Sequence, residues 1–526
     1  MTHISHYPSQ QLHTKQKAKP EKMSPSTIIA ILLVLLTCLW SLISASSKSK
    51  HKKLPPGPRS LPIIGNLHML GNLPHRSLQH LAKKYGHIMS IRLGSVPTIV
   101  VSSPKAAELF LKTHDTNFAS RPKILASEYI SYGTKGMAFS EYGPYWRHVR
   151  KLCTLQLFCP TKIEAFALLR KDELGVLLRK LKKAAEEGDV VDVSEDIGVM
   201  NEDITYRMVL GCKRDDQFDL KAIVEETFFL VGAFNISDFV PSLAALDIQG
   251  LTKRMKKVSK TIDQLLEKII DDHEQVAKTT SGKQGKHKDF VDILVSLMNQ
   301  PLNPNDEQVH FLDGTNVKAI LLDMITAAFD TSATSIVWSL AELLRHPRIM
   351  KNLQEEIQIV VGMDRMVEET DLPKLDYLSM VVKESFRLHP VGPLLIPHES
   401  IEDIAIHGYD IPKKSRIIVN IWSIGRDPSV WSENVEEFYS ERFMNNNINL
   451  RGHDFQLIPF GSGRRGCPGL QLGLTTVRLV LAQLVHCFNW ELPTGMLPQD
   501  LDMYEKFGLS MSKAKHLLAK PTYRLQ

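Results

Sequence analysis

The segment from Phe460 to Gly469 reads FGSGRRGCPG and combines a cysteine, two arginines and several spaced glycines. Gly461, Gly463 and Gly466 fit the pattern G-x-G-x-x-G, which lets a backbone approach a dinucleotide pyrophosphate. That function also needs an acidic residue about 20 positions further on to bind the ribose. No acidic residue follows before Glu491, so the pattern alone is weak evidence for a dinucleotide.

Cys467 offers a second interpretation of this segment. Pro468 suits the first turn of the helix predicted over Leu470 to Cys487, which places the cysteine at a helix N-terminus. Free N–H groups and the helix dipole favour a thiolate there. Arg465 lies two residues earlier and can bind a carboxylate. A thiolate, a closely approaching backbone and an anion-binding arginine suit a haem, with sulfur on the iron and arginine on a propionate.

Asp330 and Thr331 lie within the long apolar segment Gly314 to Arg345, which predicts one buried helix of about 32 residues. A buried carboxyl and hydroxyl cost free energy unless they have partners, so this pair is a candidate for catalysis. The simpler alternative is a threonine bonded back to a helix carbonyl and an aspartate that reaches a partner or solvent.

Glu384 and Arg387 share one face of a helix predicted to end before Pro390. The segment FYSERF, from Phe438 to Phe443, supplies Arg442 in a loop. An exposed pair of this kind contributes little to stability. Because arginine binds carboxylates in two-point geometry, the three residues could instead form a buried ionic network.

The N-terminal region carries no charged residue between Lys22 and Lys48, and the 19 residues from Thr27 to Ala45 can cross a bilayer as a helix. A cleaved signal peptide is the alternative. Lysines flank this segment on both sides, so the positive-inside rule gives nearly a tie. If translation began at Met23, the domain that follows would face the cytosol. We hypothesise that the preceding residues are an extension created by the choice of start site.

The 526 residues are 43% apolar, which is ample for a large core, and the net charge of +6 is too small to argue for nucleic acid. Six scattered cysteines without a C-x-x-C pair indicate reduced thiols rather than zinc or a disulfide framework. Strands are predicted at 87–94 and 97–103, a hairpin at 403–422, helices at 144–158 and 162–185, and a polar surface loop at 278–289. The expected fold is mainly α with a small β part (α+β).

The pattern Phe460-x-x-Gly463-x-Arg465-x-Cys467-x-Gly469 resembles the haem-binding motif of the cytochrome P-450 monooxygenases. Four further segments resemble motifs of that family in the same order. They are Trp146-x-x-x-Arg150, Ala327 to Ser332, Glu384-x-x-Arg387 and Phe438 to Phe443 with Arg442. The likeness covers Lys53 to Gln526 and is greatest for plant microsomal members. It implies the cytochrome P-450 fold preceded by one transmembrane helix, with an extension over 1–22, an anchor over 23–46, a basic and proline-rich hinge over 47–66 and the haem domain over 67–526.

The resemblance also implies the site residues. Cys467 would be the axial ligand of a haem b. Thr331 would hold dioxygen by a hydrogen bond, and Asp330 would relay protons. The implied cofactor contacts are Arg465, Trp146, Arg150, His398, Phe460, Gly463 and Gly469, of which Arg465, Trp146 and Arg150 would contact a propionate. Three positions depart from the family pattern: Ala328 replaces the usual glycine at a helix kink, Ser440 replaces a proline, and His398 replaces a propionate-binding arginine.

The implied reaction inserts one oxygen atom from O2 into a hydrophobic small molecule of plant secondary metabolism, such as a phenolic, biphenyl or terpenoid. Electrons would come from NADPH through a separate cytochrome P-450 reductase, with cytochrome b5 as an optional donor. The implied location is the endoplasmic reticulum membrane, single-pass, with the domain in the cytosol. Alternatives are a haem-thiolate isomerase or dehydratase that does not use O2, and a non-catalytic haem sensor. The expected pocket lining is Phe329, Leu394, Leu395, Ile396 and Phe507.

Overall fold

The structure is a computed structural model that describes residues 24–47, 53–214, 219–279, 288–300, 311–432 and 434–525. The chain divides into two compact units, residues 1–52 and residues 53–526. In the first unit, helix α1 (Pro25–Ser47) covers most of the predicted anchor, and the apolar side chains described in its first half are exposed. Residues 53–66, which the sequence assigned to a hinge, belong to the second unit, where Gly65 forms a β-bridge with Leu93.

The second unit is mainly helical, as predicted. Its α-helices are α2 (Pro74–Tyr85), α3 (Pro104–Glu108), α4 (Asp115–Phe118), α5 (Leu125–Ile130), α6 (Pro144–Gln156), α7 (Pro160–Ala165), α8 (Ala167–Glu187), α9 (Val193–Val209), α10 (Leu220–Gly232), α11 (Ile236–Phe239), α12 (Leu251–Thr279), α13 (Phe290–Ser296), α14 (Gly314–Phe329), α15 (Thr331–Arg345), α16 (Pro347–Val361), α17 (Asp376–Leu388), α18 (Ile421–Ile424), α19 (Pro428–Trp431) and α20 (Leu470–Cys487).

The β part consists of small sheets. The largest has the strand order β1-β2-β7-β4, in which β2 and β7 are parallel and the other neighbours are antiparallel. The strands are β1 (Ile88–Leu93), β2 (Val96–Val101), β3 (Val191–Asp192), β4 (His398–Glu399), β5 (Ile404–Ile406), β6 (Tyr409–Ile411), β7 (Arg416–Val419), β8 (Phe488–Glu491), β9 (Glu505–Lys506), β10 (Ser512–Lys513) and β11 (Leu518–Tyr523).

The segment predicted as one long helix over Gly314–Arg345 is interrupted at Asp330, which separates α14 from α15. This segment and α20 are long and apolar enough to cross a membrane, but both are mostly buried within the protein and therefore form its core. The side chains of α15 pack in one apolar cluster with those of α9, α17 and α20. The side chains of α14 belong to a second cluster with α6, α10 and α12.

Three other sequence predictions need correction or fall partly outside the structure. The helix predicted over 162–185 is divided at Phe166 into α7 and α8. The predicted hairpin over 403–422 is confined to β5 and β6, because Arg416–Val419 pairs with β2 in another sheet. Most of the polar loop predicted over 278–289 lies outside the described residues.

Candidate active site

The loop around Cys467 is held by its own backbone. The Cys467 amide donates to the Phe460 carbonyl at 2.8 Å, and the Gly466 amide donates to the Gly463 carbonyl at 3.1 Å. Gly463 has a φ of +65°, and a Cβ there would lie 2.3 Å from the Leu111 carbonyl oxygen. Glycine at 463 is thus required by the turn and by packing against the protein itself. Helix α20 begins at Leu470, three residues beyond the cysteine.

The Cys467 side chain is exposed, yet burial raises the pKa of its thiol. The sulfur is therefore accessible although the surrounding protein shields it from bulk water. The amide of Gly469 and the charge of Arg150 act in the opposite direction and lower the pKa of the Cys467 thiol. Burial thus outweighs the helix end in setting the pKa of this thiol, opposite to the lowering that a helix N-terminus predicts. A metal that binds the sulfur deprotonates it outright.

Three buried or half-buried arginines surround this region and bind backbone carbonyls. Arg465 donates through Nε to Ala119 O at 2.6 Å and through its terminal nitrogens to Met137 O and Ser140 O. Arg121, which the sequence did not assign to the cofactor, donates to the carbonyls of residues 138, 396 and 397. Arg150 donates to Gly466 O at 2.7 Å.

The electrostatics of these arginines are unbalanced. Burial and the neighbouring Arg150 lower the pKa of Arg465 to about 9. Burial and Arg465 hold the pKa of Arg121 well below its usual range. Among the described residues, no carboxylate forms an ion pair with Arg121, Arg150 or Arg465. A buried charge without a counter-charge is costly, so the site fits a group that brings its own carboxylates, as haem does through its propionates.

Two predicted propionate contacts differ from expectation. The Trp146 indole N–H donates to Met137 O at 3.0 Å, so its donor is already engaged, and its ring lies under the Arg465 guanidinium. Nδ1 of His398 lies 2.8 Å from Phe118 O, and burial holds the pKa of His398 well below its usual range. A neutral histidine that donates from Nδ1 has only an acceptor at Nε2, which cannot donate to a carboxylate.

The break at Asp330 exposes a short stretch of an otherwise buried helix. Ala327 is exposed and Thr331 is half-buried, although both lie within the core segment. The Thr331 hydroxyl donates to Ala327 O at 2.8 Å, the simpler alternative derived from the sequence. Asp330 accepts from the Thr334 hydroxyl at 3.2 Å, and burial raises the pKa of its carboxyl. Asp330 and Thr331 therefore lie side by side where the core helix becomes accessible.

Asn201 on α9 supports this break and was missed by the sequence reasoning. Its side-chain amide donates to the carbonyls of Ala328 and Phe329 at 2.8 and 2.6 Å. These two carbonyls lie just before the break. A side chain that binds helix carbonyls in place of backbone amides is a recognised cause of a helix kink. The sequence offers only a polar residue within a predicted helix, and its burial, at 3% exposed, is visible only in the structure.

The predicted ionic residues are brought together. Arg387 donates to both Glu384 oxygens at 2.8 Å, and both side chains are fully buried. Arg442 reaches the same carboxylate at 3.3 Å, while the Tyr439 amide donates to it at 2.9 Å. The remaining donors of Arg387 bind the carbonyls of residues 425, 435 and 437, which joins α17 to the segments on both sides of α19.

Four of the five predicted pocket residues line one cavity of about 100 Å³. They are Leu394, Leu395, Ile396 and Phe507. Phe329 does not line it and packs into the apolar cluster of α14, 5% exposed.

Two further predicted cofactor contacts pack against aromatic rings. Phe460 contacts Phe386 edge to face with ring centres 5.4 Å apart, and Gly469 lies against Phe158.

Comparison with known proteins agrees with this arrangement. The family model described as cytochrome P450 matches residues 55–518. Cytochrome P450 CYP736A12 of Panax ginseng is 60% identical over 497 residues, covering 94% of this chain and 99% of that protein. The flavonoid 3'-monooxygenase of Arabidopsis thaliana is 41% identical over 507 residues, covering 95% and 96%. A zebra fish cytochrome P450 solved with abiraterone superposes with a TM-score of 0.70 at 25% identity, covering 86% of this chain and 100% of that one.

The chain belongs to the cytochrome P450 family. It is an oxidoreductase of the monooxygenase class, which acts on paired donors with O2. The family implies a haem, and Cys467 is the residue of this site whose sulfur would hold the iron. When bound, a thiolate-ligated haem supplies the O–O bond cleavage that the reaction requires.

Proposed function

We propose that this protein is a membrane-anchored monooxygenase that inserts one oxygen atom from O2 into a hydrophobic small molecule of plant secondary metabolism. The observation that carries the proposal is the juxtaposition of an accessible thiol at Cys467 with buried or half-buried arginines that lack carboxylate partners among the described residues. This donor set suits a metalloporphyrin with acidic side arms better than any ligand without them.

The residues of the chain then have distinct tasks. Cys467 holds the iron through sulfur. Arg121, Arg150 and Arg465 supply the positive charge that keeps the propionates ionised in a buried site. Thr331 would hold dioxygen by a hydrogen bond and Asp330 would relay protons, both at the exposed turn of the kinked helix. His398 takes no part as a donor while it is neutral.

The substrate is an apolar molecule with flat or compact rings. Support comes from the aliphatic and aromatic walls contributed by Leu394, Leu395, Ile396 and Phe507. The name of the Arabidopsis relative refers to a flavonoid, a flat phenolic compound. Phenolics, biphenyls and terpenoids all suit these walls.

We place the protein in the endoplasmic reticulum membrane as a single-pass protein whose catalytic unit faces the cytosol. Helix α1 has 23 residues, and no charged residue occurs between Lys22 and Lys48. Its exposed isoleucines and leucines suit lipid tails. Electrons come from NADPH through a membrane-bound cytochrome P450 reductase, with cytochrome b5 as an optional second donor.

The test is expression of the full chain with a reductase in microsomes, followed by spectroscopy and product analysis. We expect a thiolate-type reduced-CO band and NADPH-dependent oxygenated products. Cys467→Ala should abolish the band, whereas Cys159→Ala, which removes a half-exposed thiol elsewhere in the chain, should keep it. A normal band in Cys467→Ala would refute the ligand assignment. Product formation without NADPH consumption would instead favour the isomerase or dehydratase alternative.

A second variant tests the proton pathway. In Thr331→Ala we expect a normal reduced-CO band but a larger share of electrons lost to hydrogen peroxide, because the hydroxyl beside the exposed turn is gone. An unchanged yield of product per NADPH would exclude this role for Thr331.

A further inference from the structure

The walls of the substrate cavity are apolar except at two places. Among its lining residues only Asp238 and Arg416 carry charged side chains, and the rest are aliphatic, aromatic, proline or glycine. A few polar groups in an apolar cavity fix the orientation of a ligand. These two residues come from different elements, Asp238 from α11 and Arg416 from β7.

Strand geometry explains why Arg416 points into the cavity. Side chains alternate along a strand, so Arg416 and Ile418 share the cavity face, whereas Ile417 and Val419 pack in a separate apolar cluster. Arg416 is 7% exposed. Its guanidinium carbon lies 4.7 Å from the ring centre of Phe239, a contact that leaves the N–H donors free.

The guanidinium of Arg416 lacks a hydrogen-bond partner within the described part of the chain. Its Nε is buried and unpaired, and no carboxylate of the described residues lies within ion-pair distance. The nearest strand neighbour with a carboxylate is Glu399, but that group is bound to Lys414 at 2.6 Å. An unpaired buried donor costs about 1–3 kcal/mol, and more when it is charged.

Asp238 faces the same space with a partly satisfied carboxylate. One oxygen accepts the Leu125 amide at 2.7 Å, and no described cation forms an ion pair with it. Burial raises the pKa of Asp238, and the charge of Arg416 opposes that shift, so the two groups sense each other without touching.

From this arrangement we infer that the cavity recognises a hydroxyl group on an otherwise apolar substrate. The hydroxyl oxygen accepts from the Arg416 guanidinium, and its O–H donates to the Asp238 carboxylate. An anionic group on the substrate would be repelled by Asp238, and a cationic group would be repelled by Arg416. A neutral hydroxyl can accept from one residue and donate to the other. A phenol or alcohol is thus the substrate class. This inference rests on the proposed oxygenation of a hydrophobic molecule and makes that substrate more specific.

The experiment is isothermal titration calorimetry on the haem-loaded full chain in detergent, with a naphthol, its methyl ether and the matching naphthoate as probes. These flat molecules differ only in the polar group. We expect the naphthol to bind roughly tenfold or more tightly than the ether, as loss of a hydrogen bond to a charged group predicts. The naphthoate should also bind more weakly than the naphthol.

Variants assign the preference to the two residues. Arg416→Met and Asp238→Asn should each reduce the naphthol-to-ether ratio to near one and leave binding of the ether unchanged. Arg92→Met removes an exposed guanidinium from the same sheet and should keep the wild-type ratio. If Arg416→Met does not fold, the nearly isosteric Asp238→Asn carries the test.

Three outcomes would overturn the inference: equal binding of naphthol and ether, a preference that survives in both variants, or no binding of naphthol by protein with a normal reduced-CO band. A missing reduced-CO band in the wild type would instead overturn the proposed function. The two failures are therefore distinguishable.

Discussion

Asp323 on α14 is a buried carboxylate that fastens the loop over the active site. One of its oxygens accepts the amides of Met137 at 2.5 Å and Ala138 at 3.0 Å. A Cβ at position 136 would lie 2.4 Å from the same oxygen, so this contact requires glycine at Gly136. We consider the substitution Asp323→Asn, which keeps an oxygen acceptor of nearly the same shape but removes the ionisable group.

The expected effect depends on pH. Burial raises the pKa of Asp323 from 3.8 to about 6, although the two amides oppose the rise. Between these values the folded protein holds a proton that the unfolded chain has released. The free energy of unfolding therefore falls as pH rises from about 4 to above 6, by roughly 3 kcal/mol for this one group. The Asp323→Asn variant has no group here that titrates, so its free energy of unfolding does not fall in this way. We expect it to be more stable than the wild type above about pH 7.

The measurement is urea-induced unfolding of the haem-loaded protein at several pH values, followed by haem absorbance. The decisive quantity is the difference in unfolding free energy between variant and wild type at each pH, which cancels all other titrating groups. This difference should grow from acidic to neutral pH. Asp272→Asn, which changes an exposed carboxylate on α12, should show no such growth. A difference that is constant with pH, or that favours the wild type at neutral pH, would refute the reasoning.

Three further variants test other parts of the site. Asn201→Leu should lower the free energy of unfolding by roughly 2–4 kcal/mol, because two buried carbonyls lose their donor; an unchanged urea midpoint would argue against this. Arg121→Leu should speed haem transfer to apomyoglobin roughly tenfold or more, through loss of a charged hydrogen-bond donor; an unaltered rate would contradict a role in holding propionates. Glu384→Gln leaves a buried arginine unpaired and should cost roughly 3–5 kcal/mol of stability; full recovery of haem-loaded protein with wild-type stability would exclude a structural role.

Local patterns predicted those features whose cause is local. Two helices show apolar periodicity and end near glycine, proline or a change in polarity: α20 and α17, which carries Glu384 and Arg387. Their predicted bounds lie close to those in the structure. The ionic network could be predicted because its members occur in short recognisable segments. The break at Asp330 could not be located from composition, since its support comes from Asn201, which is 129 positions away from it in the chain.

Residues whose roles depend on distant partners were the hardest to predict. The sequence placed Arg465 and Trp146 on a propionate, yet both donate to Met137 O, which belongs to the loop fastened by Asp323. The arginine of the motif therefore holds the loop as well as supplying charge for a cofactor. This double task explains why the positive charges can be buried before any haem binds, since the carbonyl oxygens partly compensate them. The remaining imbalance favours a ligand with carboxylates, so haem binding and the ordering of this loop should be coupled.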